Sequence, residues 1–264
     1  MLKGALHIHS TYSDGEFTLP ELREIFVAAG CSFLCISDHA EHLDEAKLRS
    51  YLSECDALSD PEFTFVAGLE YSCENRMHML GYGARTRTNS SDPEEVIQHI
   101  RDQAAIPVIA HPKNEFFEWI EQFQILPDGI ETWNSKYDGQ YAPRPGTFAL
   151  LQRLRQRQSD MHAFFGQDLH WKKQFRELFV QVDSHSNRPQ SILRALSAGA
   201  YFGQKNGWQM PSSGAVSAEM LAEFEALQAK SKRIRGFMAN SKRMLDRVGF
   251  TVPESIKAHL RRIF

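Results

Sequence analysis

The chain has 264 residues, enough for one large domain or two, and 42% hydrophobic content can build a substantial core. A net charge of −3 argues against a broad nucleic-acid surface, and there is no run of about 18 apolar residues to span a membrane. No apolar leader core precedes the first expected strand, so the cytoplasm is the expected compartment.

Leu2 to His9 has the pattern of a first strand, and Ser10 to Gly15 that of a turn-rich loop. Thr18-Leu19-Pro20-Glu21 is a capping box that opens a helix running to Ala29, with Gly30 placed to end it. A second strand is expected over Phe33–Ser37, a helix over Asp44–Leu58, and a third strand over Phe63–Leu69. A short strand follows over Met77–Tyr82. Asp92-Pro93-Glu94-Glu95 opens the next helix. Strands are then expected at 107–110, 129–133 and 162–166, with helices at 114–123 and 146–158 between them. Past Asp168 the pattern loosens to a late strand at 179–182 and a helix at 191–198. From Ser217 to Phe264 the chain is mostly helical and charged. The four cysteines, Cys31, Cys35, Cys55 and Cys73, contain no Cys-x-x-Cys pair and are expected to be packing thiols.

This alternation predicts an α/β fold with a mostly parallel sheet. No Gly-x-Gly-x-x-Gly loop or P-loop is present, which removes the simplest nucleotide-cofactor readings. His7 and His9 are two apart in a strand, so a regular pleat would project them from one face, about 7 Å apart along the backbone. Asp38, His39, Glu70, His111, Asp168 and His170 fall at or just past strand C-termini, where α/β folds build their sites. With His78 and Asp14 they form a set of imidazoles and carboxylates suited to Zn, Mn or Fe. His42, His99, His162, His185 and His259 receive no metal role.

The pattern resembles the polymerase and histidinol phosphatase (PHP) family. The matching segments are His7-x-His9 with Ser10-x-x-Ser13-Asp14-Gly15, Ile36-Ser37-Asp38-His39, Gly68-Leu69-Glu70, His78-Met79-Leu80-Gly81-Tyr82, Ile109-Ala110-His111-Pro112 and Gly166-Gln167-Asp168-Leu169-His170. Gln167 departs from the small residue the family more often has there. The resemblance implies a distorted (β/α)7 barrel of the TIM-like kind over residues 1–212, with 213–264 as a helical segment packed on it. It implies two to three divalent ions. The first would be held by His7, His9, Glu70 and Asp168, and the second by Glu70, His78 and His111. The third would be held by Asp14, His39 and His170. Asp38 would orient a ligand histidine or cap the following helix, and His170 is the alternative proton donor to a leaving oxygen.

Such a cluster suits phosphoester hydrolysis, since two ions roughly 3.5–4 Å apart can bridge a hydroxide and polarise phosphoryl oxygens. The expected activity is that of a phosphoesterase acting on a small phosphomonoester or a nucleotide, with long nucleic acid disfavoured. The rivals are a 3′–5′ exonuclease and a catalytically silent metal-binding scaffold. Lys113, Arg144 and Arg188 are candidate phosphate-binding cations. Trp133, Tyr137 and Trp171 are aromatics that either pack or stack on a substrate ring.

Overall fold

The structure is a computed structural model that describes residues 1–247. The expected tail beyond Arg247, with His259, lies outside the described residues. The strands are β1 (Leu2–Ile8), β2 (Phe33–Ile36), β3 (Asp38–His39), β4 (Thr64–Val66), β5 (Gly68–Ser72), β6 (His78–Tyr82), β7 (Ile106–Ala110), β8 (Gly129–Asn134), β9 (His162–Leu169), β10 (Phe179–Val182), β11 (Tyr201–Lys205) and β12 (Trp208–Pro211). The helices are α1 (Leu19–Ala28), α2 (Glu45–Ala57), α3 (Pro93–Arg101), α4 (Phe117–Ile120), α5 (Pro145–Arg155), α6 (Pro189–Ser197) and α7 (Ala218–Arg247). The chain divides into two compact units, Met1–Val216 and Ser217–Phe264. Ser213 belongs with the first because its carbonyl accepts from Gln152 Nε2 at 3.1 Å.

The expected helix starts are built as the capping residues dictate. The Thr18 hydroxyl accepts from Glu21 N while the Glu21 carboxylate reaches back to Thr18 N at 2.8 Å. Asp44 and Asp92 cap α2 and α3 with their carboxylates alone, accepting from Lys47 N and from Glu94 N and Glu95 N. Each cap satisfies amide groups that a helix start leaves without intrahelical partners. The expected 114–123 helix is shorter, a 3₁₀ turn followed by the four-residue α4.

All strands join one sheet. β1 pairs parallel with β2 and β9, and β2 pairs parallel with β4. β3 pairs parallel with β5, β7 with β8, and β8 with β9. β6 runs antiparallel to both β5 and β7, so its first residue, His78, lies beside the last residues of its neighbours. β10, β11 and β12 extend the sheet antiparallel from β1. The β11–β12 hairpin was not expected. It turns at Asn206-Gly207, both with positive φ, as a tight two-residue hairpin requires.

Parallel strands covered on both faces are apolar runs, and β2, β4, β7 and β8 are buried along their full length. Tyr82, Phe33, Phe164, Phe165 and Trp133 are among the largest side chains in this core. Each stabilises the fold by about 1.5–3 kcal/mol through burial. Trp133 therefore packs, and its indole N–H donates to Gly139 O at 3.0 Å. The four cysteines are free and buried, and burial raises each thiol pKa, which suits inert packing.

Candidate metal centre

The parallel strands end together, and their last residues carry the chemistry. β1 delivers His7 and, one step past its end, His9. β3 delivers His39, β5 Glu70, β7 the following His111, and β9 Asp168 with His170 just beyond. Glu70 is the hub. Its Oε2 lies 3.1 Å from His9 Nε2, 3.3 Å from His7 Nε2 and 3.6 Å from His39 Nδ1. Its Oε1 lies 2.9 Å from His78 Nδ1 and 3.3 Å from His111 Nε2. One carboxylate thus faces two groups of imidazoles with different oxygens.

Asp168 joins from the other side, with Oδ1 at 3.8 Å from His9 Nε2 and 3.9 Å from His7 Nε2. Asp14, on the loop after β1, places Oδ1 3.3 Å from His170 Nε2 and 3.8 Å from His39 Nε2. Four sets have ligand atoms mutually within 4.8 Å: His9, Asp14, His39 and His170; His7, His9 and Asp168; His7, Glu70 and His111; and His39, Glu70 and His78. All nine expected ligands are brought together.

The donor set fits cations. Glu70 and Asp168 are each 1% exposed, and buried carboxylates at this density need compensating positive charge. The ring nitrogens of His9 and Nδ1 of His39 are buried without a well-aligned hydrogen bond, which leaves lone-pair capacity turned into the cluster. Burial drives His9 down to about 3, with Glu70 acting in the opposite direction. Burial also opposes protonation of His170, yet Asp14 and Asp168 lift it to about 9. Burial would raise Glu70 and Asp168, but the charge on His7 helps hold both well below the usual carboxylate range. Strongly perturbed, mutually coupled groups of this kind cluster at functional sites.

The backbone is strained at the same residues. His7 (φ 60°), His111 (φ 29°) and Asp168 (φ 53°) all have left-handed conformations that non-glycine residues seldom adopt. The β1–β9 and β1–β2 registers both shift across His7. The expectation of a regular pleat is corrected here: a bulge, not simple alternation, turns the His7 ring to within 5.2 Å of His9.

No family model matches the chain. It is 29% identical over 133 residues to the DNA polymerase/3′-5′ exonuclease PolX of Bacillus subtilis (strain 168), a match covering 42% of this chain and 23% of that protein. The chain therefore spans about a quarter of the length of that curated relative. A two-domain protein of Bacteroides vulgatus ATCC 8482, containing a predicted PHP-like metal-dependent phosphoesterase, superposes with a TM-score of 0.54 at 15% identity. That match covers 85% of this chain and 69% of the other. The fold is PHP-like. The lesion-specific endonuclease PfuEndoQ of Pyrococcus furiosus superposes with a TM-score of 0.52 at 15% identity, over 75% of this chain and 55% of that one.

Within this PHP-like fold, several residues beneath the ligands were not anticipated. Glu131, fully buried on β8, accepts from His7 Nδ1 at 2.8 Å and from the His111 backbone N–H at 2.8 Å. That leaves His7 Nε2 turned to the cluster, the usual way a carboxylate fixes a ligand histidine. Asn134 Nδ2 donates to Glu131 Oε2 at 2.8 Å and to Asp168 Oδ2 at 3.1 Å. Gly166 makes room for this frame. A Cβ there would collide with the Glu131 carboxylate and lie 2.9 Å from His7 Cβ. Gln167, the departure from the family pattern, ties the strand to its neighbours through Leu178 O and Arg176 N.

Asp38 corrects both of its expected roles. Its fully buried carboxylate accepts from Ser10 N at 2.9 Å, Ser10 Oγ at 2.6 Å, Ser13 N at 3.1 Å and Ser13 Oγ. It anchors the loop that carries Asp14. The helix cap expected of it belongs to Asp44.

The three expected phosphate-binding cations lie apart from the ligands. Arg144 is committed to Asp138, Asn114 Oδ1 and Pro112 O, clamping two rim loops together. Lys113 is at the rim but pairs with Glu115 at 3.9 Å and lies over the Phe116 ring. Arg188 lies beside Asn187, whose carbonyl accepts from Thr64 Oγ1 at the start of β4, the opposite end of the parallel strands. The cation that does reach the cluster is Lys136, with Nζ 3.1 Å from Asp168 Oδ1 and 3.2 Å from His170 Nδ1. Tyr137 and Trp171 are exposed beside it, their rings 4.3 Å from His111 and 5.6 Å from His170.

Proposed function

We propose that the chain is a metal-dependent phosphoesterase hydrolysing a phosphomonoester of a small molecule or a nucleotide. The observation that carries this reading is Glu70, which turns one oxygen to His7 and His9 and the other to His78 and His111 inside a buried ring of donors. This division supports His7, His9, Glu70 and Asp168 for a first ion, Glu70, His78 and His111 for a second, and Asp14, His39 and His170 for a third. Zn, Mn and Fe all suit such ligands. When bound, the ions supply Lewis acidity toward phosphoryl oxygens and the attacking water.

The residues of the chain do the positioning. Glu131 fixes the ring of His7, Asn134 steadies Asp168, and Asp38 holds the loop that presents Asp14. Both His170 nitrogens face carboxylates, Asp168 at 3.1 Å and Asp14 at 3.3 Å, and its shared placement with Asp14 and His39 supports the ligand role. The strand pairing also supports a seven-stranded barrel. From β1 it passes to β2, then β4, across Ala67 into β5, and through β6, β7, β8 and β9 back to β1.

The test is hydrolysis by protein loaded with Zn, Mn or Fe, offered p-nitrophenyl phosphate, nucleoside monophosphates and single-stranded oligonucleotides. Monoester turnover is expected, and His9→Ala should reduce it to background together with metal content. Loaded protein that cleaves no phosphoester, or a fully active His9→Ala variant, rejects the reading. One observation favours the 3′–5′ exonuclease as a second reading. The exposed Tyr137 and Trp171 rings flank Lys136 at the rim, a combination suited to stacking bases beside a bound phosphate. That reading predicts faster turnover of oligonucleotides than of monoesters.

A further inference from the structure

We infer that Lys136 is a resident counter-ion of the metal centre, neutralising Asp168 when the first cation is absent and turning to the substrate's phosphoryl oxygens when it is present. This inference rests on the phosphoesterase reading for its second half only.

Lys136 Nζ lies 3.1 Å from Asp168 Oδ1. The same Oδ1 faces His7 Nε2 at 3.9 Å and His9 Nε2 at 3.8 Å, the set suited to the first cation. An ammonium and a divalent ion drawn to one carboxylate oxygen repel each other strongly, because screening is weak in a buried cluster. Only the lysine can leave. Its backbone is fixed by a hydrogen bond from Lys136 N to Asn134 Oδ1 at 3.1 Å, while its four-carbon stem can rotate.

The path out is lined for a cation. Nζ lies 5.3 Å from the Tyr137 ring centroid and 5.8 Å from that of Trp171. Both rings are exposed, at 48% and 39%, so the ammonium can move toward solvent while staying against aromatic faces. There it would stand where a phosphoryl group approaches the ligands. Of the cations considered at this rim, Arg144 is locked between two loops and Lys113 points to Glu115. Lys136 is the one that touches a ligand.

Lys136→Met tests this by three readouts. Zn or Mn titrated into metal-free protein should bind about tenfold more tightly in the variant, because a competing charge is gone. The thermal midpoint of the metal-free variant should fall, since Asp168 loses one of its charged partners, while that of the loaded variant stays at the parent value. Inorganic phosphate should bind the loaded variant about tenfold or more weakly, the loss of one charge-assisted contact. Lys136→Arg should restore the metal-free midpoint and phosphate binding. Should Lys136→Met fail to fold, Lys136→Gln carries the same expectations. Metal affinity that is unchanged or weaker in the neutral variant overturns the inference, as does unchanged phosphate binding. Neither measurement depends on turnover. A parent protein that cleaves no phosphoester would reject the hydrolase reading while leaving these outcomes to decide the role of Lys136.

Discussion

Replacing Asp38 separates the loop anchor from the ligands it serves. The carboxylate accepts two backbone N–H groups and two hydroxyls from Ser10 and Ser13. Hydrogen bonds to a charged acceptor are each worth about 1.5–3 kcal/mol. Burial offsets part of that sum, as its upward push on the Asp38 carboxyl shows. In Asp38→Ala, the fully buried Ser10 N–H loses its acceptor, whereas Ser13 is half-buried and regains water. The hydroxyls can rotate to new partners. The expected cost is about 3 kcal/mol, near the upper range for single substitutions. In Asp38→Asn, the amide oxygen keeps the two N–H groups, and the amide nitrogen can donate to a rotated Ser10 Oγ, so the cost is about 1 kcal/mol. Urea unfolding with an unchanged m-value reads both. Metal analysis should show Asp38→Ala losing the cation nearest Asp14, with Asp38→Asn retaining it. Asp38→Ala within about 0.5 kcal/mol of the parent and with full metal content would refute the reasoning, because that is the scatter of surface changes.

Glu131→Gln leaves one amide oxygen for the three donors that share the carboxylate, His7 Nδ1–H, the His111 N–H and Asn134 Nδ2, and should weaken metal binding about 10- to 100-fold with the fold intact, as read by competition with a chelator. Lys205 is 7% exposed, and burial lowers it to about 8, with Glu177 acting in the opposite direction. The folded form therefore disfavours its proton, and the penalty is complete below pH 8 and relieved as pH rises from about 8 toward the unfolded value near 10.5. Lys205→Met should raise the thermal midpoint at pH 7, and the gap between variant and parent should narrow by pH 10.

Much of the ligand set was legible because it lies in short strand-end segments whose order along the chain carries the pattern. The capping residues Thr18 and Asp92 were legible for a local reason, since each cap is decided within four residues, whereas Asp44, expected as the first residue of its helix, caps it instead. The frame beneath the ligands was not. Glu131 sits in an apolar strand, and its partners His7 and His111 lie 124 and 20 residues away. A fully buried acid in such a strand was its one signal. The bulge at His7 comes from pairing with β2 and β9, which His-x-His spacing does not reveal. Arg144 had the right neighbourhood, but it pairs with Asp138 in its own loop, and its bonds to Pro112 O and Asn114 Oδ1 form only when two rim loops meet. Asn206-Gly207 is a readable hairpin signal between two short runs. Lys136 carries no local mark; only the folding of β8 beside β9 brings it to Asp168.

The central claim is that one carboxylate links the cation sites. It is tested most directly by metal stoichiometry and thermal midpoint in the parent and in Glu70→Gln. The account predicts that the parent retains two to three transition-metal ions. At a free metal concentration about 100 times Kd, each bound ion should add about 2.7 kcal/mol, a rise of roughly 5–10 °C per ion for a chain of this size. Glu70→Gln should lose both ions that share the carboxylate and most of that rise. A parent that holds no transition metal, or a Glu70→Gln variant with the parent's stoichiometry and midpoint, would contradict it.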